Sequence, residues 1–243
     1  MGAGWTRALR AVLPLAVGVL LAGPAIAGPN LVLNGTFGTA SFADWTSTTT
    51  GTVNSPAVVI QTDNVARAFP TGAFGEAIPN DTLLTGSPDP SAGYAAYFST
   101  DTGSQTLSET VTLRVGTYGI GFDVFVPQNG YNNPNDATFT GSIAGTSLFS
   151  AASVAAIGAA DGVDKWVTVS SQARVAIAGT YTVNFTFTGS AVAAKDILVD
   201  RVYLTFLTTS LSQPVPEPGA LALLAAPLVA LGWLRRRRGS GVG

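Results

Sequence analysis

The chain has no cysteine and no histidine, and only 11% of its 243 residues are charged. Without cysteine no disulfide can brace the fold, so stability has to come from core burial alone. Without histidine there is no Ser-His-Asp or Cys-His catalysis, no HExxH zinc site and no ordinary zinc or copper ligation. Carboxylates, a few lysines, tyrosines and hydroxyls are what remain for chemistry, and a carboxylate-pair hydrolase stays open on those terms. Basic residues are scarce too. Six of the 12 Lys and Arg (Arg7, Arg10 and Arg235 to Arg238) lie near the ends, and residues 28–213 hold 13 acidic against 6 basic, a net of −7. With no basic cluster there, nucleic acid is a poor partner. The acidity favours solubility and suits divalent cations.

Long apolar runs occur only at the two ends. Arg7 and Arg10 precede an apolar stretch from Ala11 to Gly23, and Ala25-Ile26-Ala27 forms an A-x-A cleavage site before Gly28. Residues 1–27 are therefore expected to be a secretory signal peptide that signal peptidase removes. At the other end Val215-Pro216-Glu217-Pro218-Gly219 leads into an uncharged run from Ala220 to Leu234, then Arg235-Arg236-Arg237-Arg238. The prolines keep residues 214–218 extended and accessible. Fifteen helical residues span about 22 Å, so the run crosses a bilayer core of about 30 Å only with help from Gly219 and from snorkelling Trp233 and arginines. The arginines hold this end on the cytoplasmic side. Everything between the two ends is expected to be exported across the inner membrane, anchored in it for a time, and then placed at the cell surface or outside the cell.

Motif, apolar helix and arginine cluster, in that order, resemble the bacterial PEP-CTERM sorting signal over residues 215–238. The resemblance implies recognition by an exosortase, a membrane enzyme expected to cut near Val215, Pro216, Glu217 and Pro218, in a bacterium that makes exopolysaccharide. The chain would be that enzyme's substrate.

Between the signals the sequence is rich in Thr, Val, Gly and aromatics, which favours strands over helices. Tyr118, Ile120, Phe122, Val124 and Val126 alternate with Gly119, Gly121 and Asp123. Tyr181, Val183, Phe185 and Phe187 alternate with Thr182, Asn184 and Thr186, and Leu107, Val111, Leu113 and Val115 share a face against Thr110, Thr112 and Arg114. A period of two over such lengths predicts half-buried strands. Further strands are expected at Asn30–Leu33, Pro56–Gln61, Tyr94–Ser99, Ala137–Ile143, Lys165–Ser170 and Ile197–Phe206, separated by Gly, Asn, Pro and Asp turns. About nine strands with one solvated face each predict an all-β fold, a single antiparallel β-sandwich of jelly-roll type over residues 28–206. Ala151–Ala160 is the one helix-like stretch, and residues 207–214 form a linker to the tail.

Asn30-Leu31-Val32-Leu33-Asn34-Gly35-Thr36-Phe37, with Trp45 after it, resembles the opening strand of galactose-binding-like jelly rolls found in carbohydrate-binding modules. Asp200-Arg201-Val202-Tyr203-Leu204 resembles their closing strand. The resemblance implies a structural Ca²⁺ at Asp200, but the Glu that helps hold it in such modules is Gly38 here, so no cofactor is expected beyond that Ca²⁺.

Tyr131 lies among Gln128, Asn129, Asn132, Asn133, Asn135 and Asp136. One aromatic amid hydrogen-bonding side chains is the mixture that binds a sugar, with Tyr131, Asn129 and Asn132 as candidate contacts, though the same composition makes a plain hairpin loop. Trp45 and Trp166 are expected to be core residues. Asp161-Gly162-Val163-Asp164 suits a turn better than a Ca²⁺ loop. Glu109 and Asp123 are candidates for a catalytic pair, if their strands bring them within reach. The expectation is thus an exported, non-catalytic surface or matrix protein that interacts with exopolysaccharide. The alternatives are a secreted glycan hydrolase and a structural protein that self-associates through strand edges.

Overall fold

The computed structural model describes residues 28–82 and 93–208. The expected signal peptide (residues 1–27), including Ala25 and Ala27, and the tail with Val215, Pro216, Glu217, Pro218 and Arg235 to Arg238 lie outside the described residues. Among the described residues no helix is long and apolar enough to cross a membrane.

The chain forms strands β1 (Thr46–Thr50), β2 (Val58–Gln61), β3 (Tyr94–Phe98), β4 (Gly103–Leu113) and β5 (Gly116–Phe125), the single-turn helix α1 (Gln128–Tyr131), strands β6 (Ala137–Ile143) and β7 (Thr146–Ser153), helix α2 (Val154–Asp161), and strands β8 (Trp166–Val175), β9 (Gly179–Gly189) and β10 (Ile197–Thr208). They make two five-stranded sheets, in the orders β1-β4-β9-β6-β7 and β2-β3-β10-β5-β8. Every strand pairing within these sheets is antiparallel. Strands β3 to β10 switch between the sheets at every step but the β6–β7 hairpin, in the order of an eight-stranded jelly roll, with β1 and β2 added at the edges.

The apolar residues of the alternating sets are buried or half-buried as their period requires, except Val115, which lies past the end of β4 and is 45% exposed. Phe185 is fully buried and meets Phe122 at 4.9 Å and Phe139 at 6.0 Å. Trp45 closes one side at 6.0 Å from Phe185, a core residue as expected. Aromatic contacts of this kind, edge-to-face with Phe122 and stacked with Phe139, add to the area the rings remove from water.

Four local expectations need correction. Asn30–Leu33 is not a strand: one bridge joins Asn30 to Thr205, and the Asn30 carboxamide binds Val202 O and the N–H groups of Val32 and Leu204. A side chain that takes over these backbone bonds replaces a ladder. Two strands, β1 and β7, had no sequence signal. Every residue of β1 is exposed, so it carries no alternation, and β7 alternates only weakly. The helix starts later, at Val154, because Ser153 caps it by accepting from Ala156 N at 3.1 Å, leaving residues 151–153 to β7.

The fourth correction concerns the outer face of the β2-β3-β10-β5-β8 sheet, which is covered rather than solvated. Residues 62–82 fold across it, and Ile78 and Ala73 join Ile60, Tyr97, Phe125, Trp166 and Leu198 in a second apolar cluster. Trp166 is thus a core residue of this outer layer, tied to the strap by its indole N–H donating to Pro79 O at 2.9 Å.

Candidate functional site

Strand direction sorts the loops to two ends. Gly28 and the end of β10 lie together at one end, where Gly28 approaches Phe206 and Thr208 pairs with Thr117. The loops β1–β2, β3–β4, β5–β6 and β9–β10 gather at the other. There they surround a polar cleft of about 450 Å³.

Each loop supplies part of the lining. Asn54 and Ser55 come from β1–β2, Ser99 and Asp101 from β3–β4, Asn129 and Asn133 from β5–β6, and Ala193 and Asp196 from β9–β10. The strap adds Phe74, which is 48% exposed and stacks on Phe69 at 4.3 Å with an interplanar angle of 13°. A half-exposed ring held in place by a second ring is a platform for an apolar face.

Hydrogen bonds fix the polar residues to each other. Asn54 Nδ2 donates to Asp101 Oδ2 at 2.6 Å, Asn54 Oδ1 accepts from Asp101 N at 2.7 Å, and Ala194 N donates to Asp101 Oδ1 at 2.7 Å. Asn133 Nδ2 donates to Ala194 O at 2.5 Å, and Asn129 Nδ2 to Gly75 O at 3.1 Å. Tyr97 Oη donates to Asp196 Oδ2 at 2.5 Å, under the cleft floor. Burial pushes the Asp196 carboxyl up to about 7, opposed by the Tyr97 hydrogen bond and reinforced by the charges of Asp101 and Glu76. Glu76 accepts from Gln128 N at 2.9 Å and Asn129 N at 2.7 Å, which seats α1 at the cleft edge.

The sequence candidates divide. Asn129 lines the cleft. Tyr131 is half-buried, its ring packed near Gly158 of α2 and covered by Lys195 Nζ at 4.8 Å from its centroid. Asn132 is exposed beyond the lining and accepts from Gln128 Nε2 at 2.9 Å. Glu109 and Asp123 do not form a site. Glu109 sits on β4 with Leu33 N donating to it at 2.9 Å, whereas Asp123 lies under the strap on the outer face of the opposite sheet. Asp164 accepts from Gln128 N at 2.8 Å as part of a turn.

Asp200 is fully buried opposite Asp123, and Asp81 and Arg201 complete the group. Arg201 lies 3.8 Å from both Asp81 and Asp123. Burial pushes the Asp200 carboxyl well above the usual range and the Asp123 carboxyl up to about 8. Gly38 offers no carboxylate, and a guanidinium already stands among these acids, so the residues do not suit a Ca²⁺. Among the described residues no group of three or more Asp, Glu, His or Cys is placed to hold a metal ion.

A larger pocket of about 640 Å³, lined by Leu31, Leu113, Tyr118 and Phe206, opens at the end where the chain enters and leaves. It is mostly apolar and holds no comparable polar set.

No protein-family model and no curated protein matches the chain. Among solved structures, TmCBM61 in complex with β-1,4-galactotriose is similar at 18% identity and a TM-score of 0.42, over 74% of this chain and 99% of that one. The tandem CBM22-1–CBM22-2 domain of Paenibacillus barcinonensis Xyn10C is similar at 15% identity and 0.39, over 80% and 50%. The enzymatically active domain of bacteriophage CBA120 tailspike protein 4 is similar at 14% and 0.42, over 73% and 21%. At such identities the likeness is one of fold, and the chemistry of the cleft has to be read from its own residues.

Proposed function

We propose that the protein binds a polysaccharide through the polar cleft at the loop end of its sandwich, without catalysing a reaction on it. The cleft carries this reading: a half-exposed Phe74 face beside Asn54, Asp101, Asn129 and Asn133, all held by their own hydrogen bonds before any ligand arrives. A sugar ring offers an apolar face to the phenyl ring and hydroxyls to the amides and carboxylate. Preorganisation lowers the entropy lost on binding. Full-length protein in detergent, applied to a glycan array that includes the host's own exopolysaccharide, is expected to bind. Phe74→Ala should weaken binding about tenfold or more while leaving the melting temperature within a few degrees. Absence of binding to every polysaccharide would overturn the reading.

The protein is exported in this proposal and handled by an exosortase through residues 215–218. The cleft lies at the end of the sandwich away from Gly28 and Thr208, so an anchor following Thr208 would leave it facing outward. Changing Pro216, Glu217 and Pro218 to alanines is expected to leave the chain in the inner membrane with its tail intact. Wild-type processing of that variant would count against the motif.

One observation favours a second reading, hydrolysis. Asp101 and Asp196 share the cleft in unlike environments, one hydrogen-bonded by N–H donors and one buried with a raised pKa. Two such carboxylates are what glycoside hydrolysis needs. New reducing ends on incubation with a bound polysaccharide, lost in Asp196→Asn, would establish it.

A further inference from the structure

Resting on the glycan reading above, we infer that the cleft selects amino sugars, saccharides that carry a free ammonium group, over neutral ones, and rejects uronic acids. The hydrogen-bond inventory points this way. Asn129 gives its Nδ2 hydrogens to Gly75 O and Phe74 O, Asn133 gives one to Ala194 O, and Asn54 gives one to Asp101. What the cleft has left to offer is weighted toward acceptors, the second lone pairs of Asp101, the remaining oxygen of Asp196 and the amide oxygens of Asn129 and Asn133, against one further Nδ2 hydrogen each on Asn54 and Asn133 and the Ser99 hydroxyl. A ligand rich in donors fits such a lining better than one that only accepts.

Charge adds to the inventory. Among the described residues no lysine or arginine lines the cleft. Lys195, the nearest in sequence, is not part of the lining and donates its Nζ to Tyr131 O and to Asn133 O at 2.8 Å. Asp101 and Asp196 face the cavity, and Glu76 stands at its edge. Asp196 is only 5% exposed, so its field is weakly screened. An ammonium supplies three donors and the missing positive charge at once. A uronate brings a further carboxyl group into a site already lined by those of Asp101 and Asp196.

Titration calorimetry on the full-length protein in detergent tests this with four oligosaccharides of equal length: glucosamine, N-acetylglucosamine, glucose and galacturonate. The glucosamine oligomer should bind about tenfold or more tightly than its acetylated form at low salt. That margin should shrink at about 0.5 M salt, because partly exposed charge pairs are screened. Asp101→Asn should remove the margin between the free-amine and acetylated oligomers, read as the ratio of the two affinities whatever the change in each, and Glu76→Gln should reduce that ratio. Equal binding of the free-amine and acetylated forms by the wild type would overturn the inference, as would galacturonate binding as tightly as glucosamine; either result leaves polysaccharide binding standing. Binding of none of the four, nor of the host polysaccharide, would overturn the glycan reading itself. The wild-type comparison decides the matter even if the variants do not fold.

Discussion

Phe185 is the residue on which the two sheets meet. It is fully buried, edge-on to Phe122 at 4.9 Å, stacked on Phe139 at 6.0 Å and within 6.0 Å of Trp45. Neighbours so large and so fixed cannot collapse into the space it would leave, so Phe185→Ala should cost about 3–5 kcal/mol, read from urea unfolding. In a protein without disulfides that is a large share of the total stability. Gly130 matters for another reason. A Cβ there would stand 2.8 Å from Asp196 Cβ and 2.9 Å from its carboxyl carbon, closer than atoms approach without moving. The absence of a side chain at Gly130 lets α1 lie against Asp196 and sets Asn129 and Asn133 on the cleft wall. Gly130→Ala should therefore push α1 outward and weaken polysaccharide binding about tenfold, with a smaller effect on unfolding. Unchanged affinity would show that the α1 placement does not govern the site.

The elements differ in how far each could be read in advance. Strands β4 and β9 announced themselves because each buries alternate side chains for most of its length, β5 did so because its apolar residues alternate in sequence although its second half is buried on both faces, and β6 was legible to the residue. β1 was invisible because an exposed edge strand of threonine and serine has no period to detect. The strap over residues 62–82 was invisible for a different reason: it covers a sheet without repeating anything, and its anchors are single residues. Asp123 and Gly121 therefore looked solvent-facing, though Asp123 is 0% exposed. The site followed the same logic. Asn129 was legible as part of a polar loop, but Phe74, Asp101 and Asp196 come from three other connections, and only the strand order brings them to one end. Trp166→Phe tests the strap's attachment. It keeps most of the ring beside Phe125 and removes the bond to Pro79 O. A loss of about 1 kcal/mol is expected, with faster hydrogen exchange in residues 62–82 and little change in β9. Uniformly faster exchange in both would mean that the strap does not open as a separate unit.

At the scale of the whole molecule, acid is distributed unevenly between inside and outside. Among the described residues four carboxyls are buried with raised pKa values: Glu109 and Asp196 at about 7, Asp123 at about 8, and Asp200 well above the usual range, all through loss of water. In the unfolded chain these groups titrate near 4. Between about pH 4 and pH 7–8 the native state therefore binds more protons than the unfolded one, and stability falls as pH rises. Asp136 acts in the opposite sense. Its pKa is lowered by hydrogen bonds from Ser153, Ala155 and Ala137 acting against burial, so its contribution is present above about pH 4 and lost as pH falls through its folded value. The two trends together place the most stable condition in mild acid. Two of the four raised groups, Asp123 and Asp200, lie beneath the strap beside Arg201, where one guanidinium faces several acids. Deprotonation there leaves negative charge that a single arginine cannot balance, so the strap and the outer layer should loosen first as pH rises. Thermal melts of the full-length protein should give a transition about 5 °C or more lower at about pH 8.5 than at about pH 5.5, and Asp123→Asn should narrow that gap. A transition that stays level or rises toward alkaline pH would mean that these carboxyls are already ionised in the folded protein.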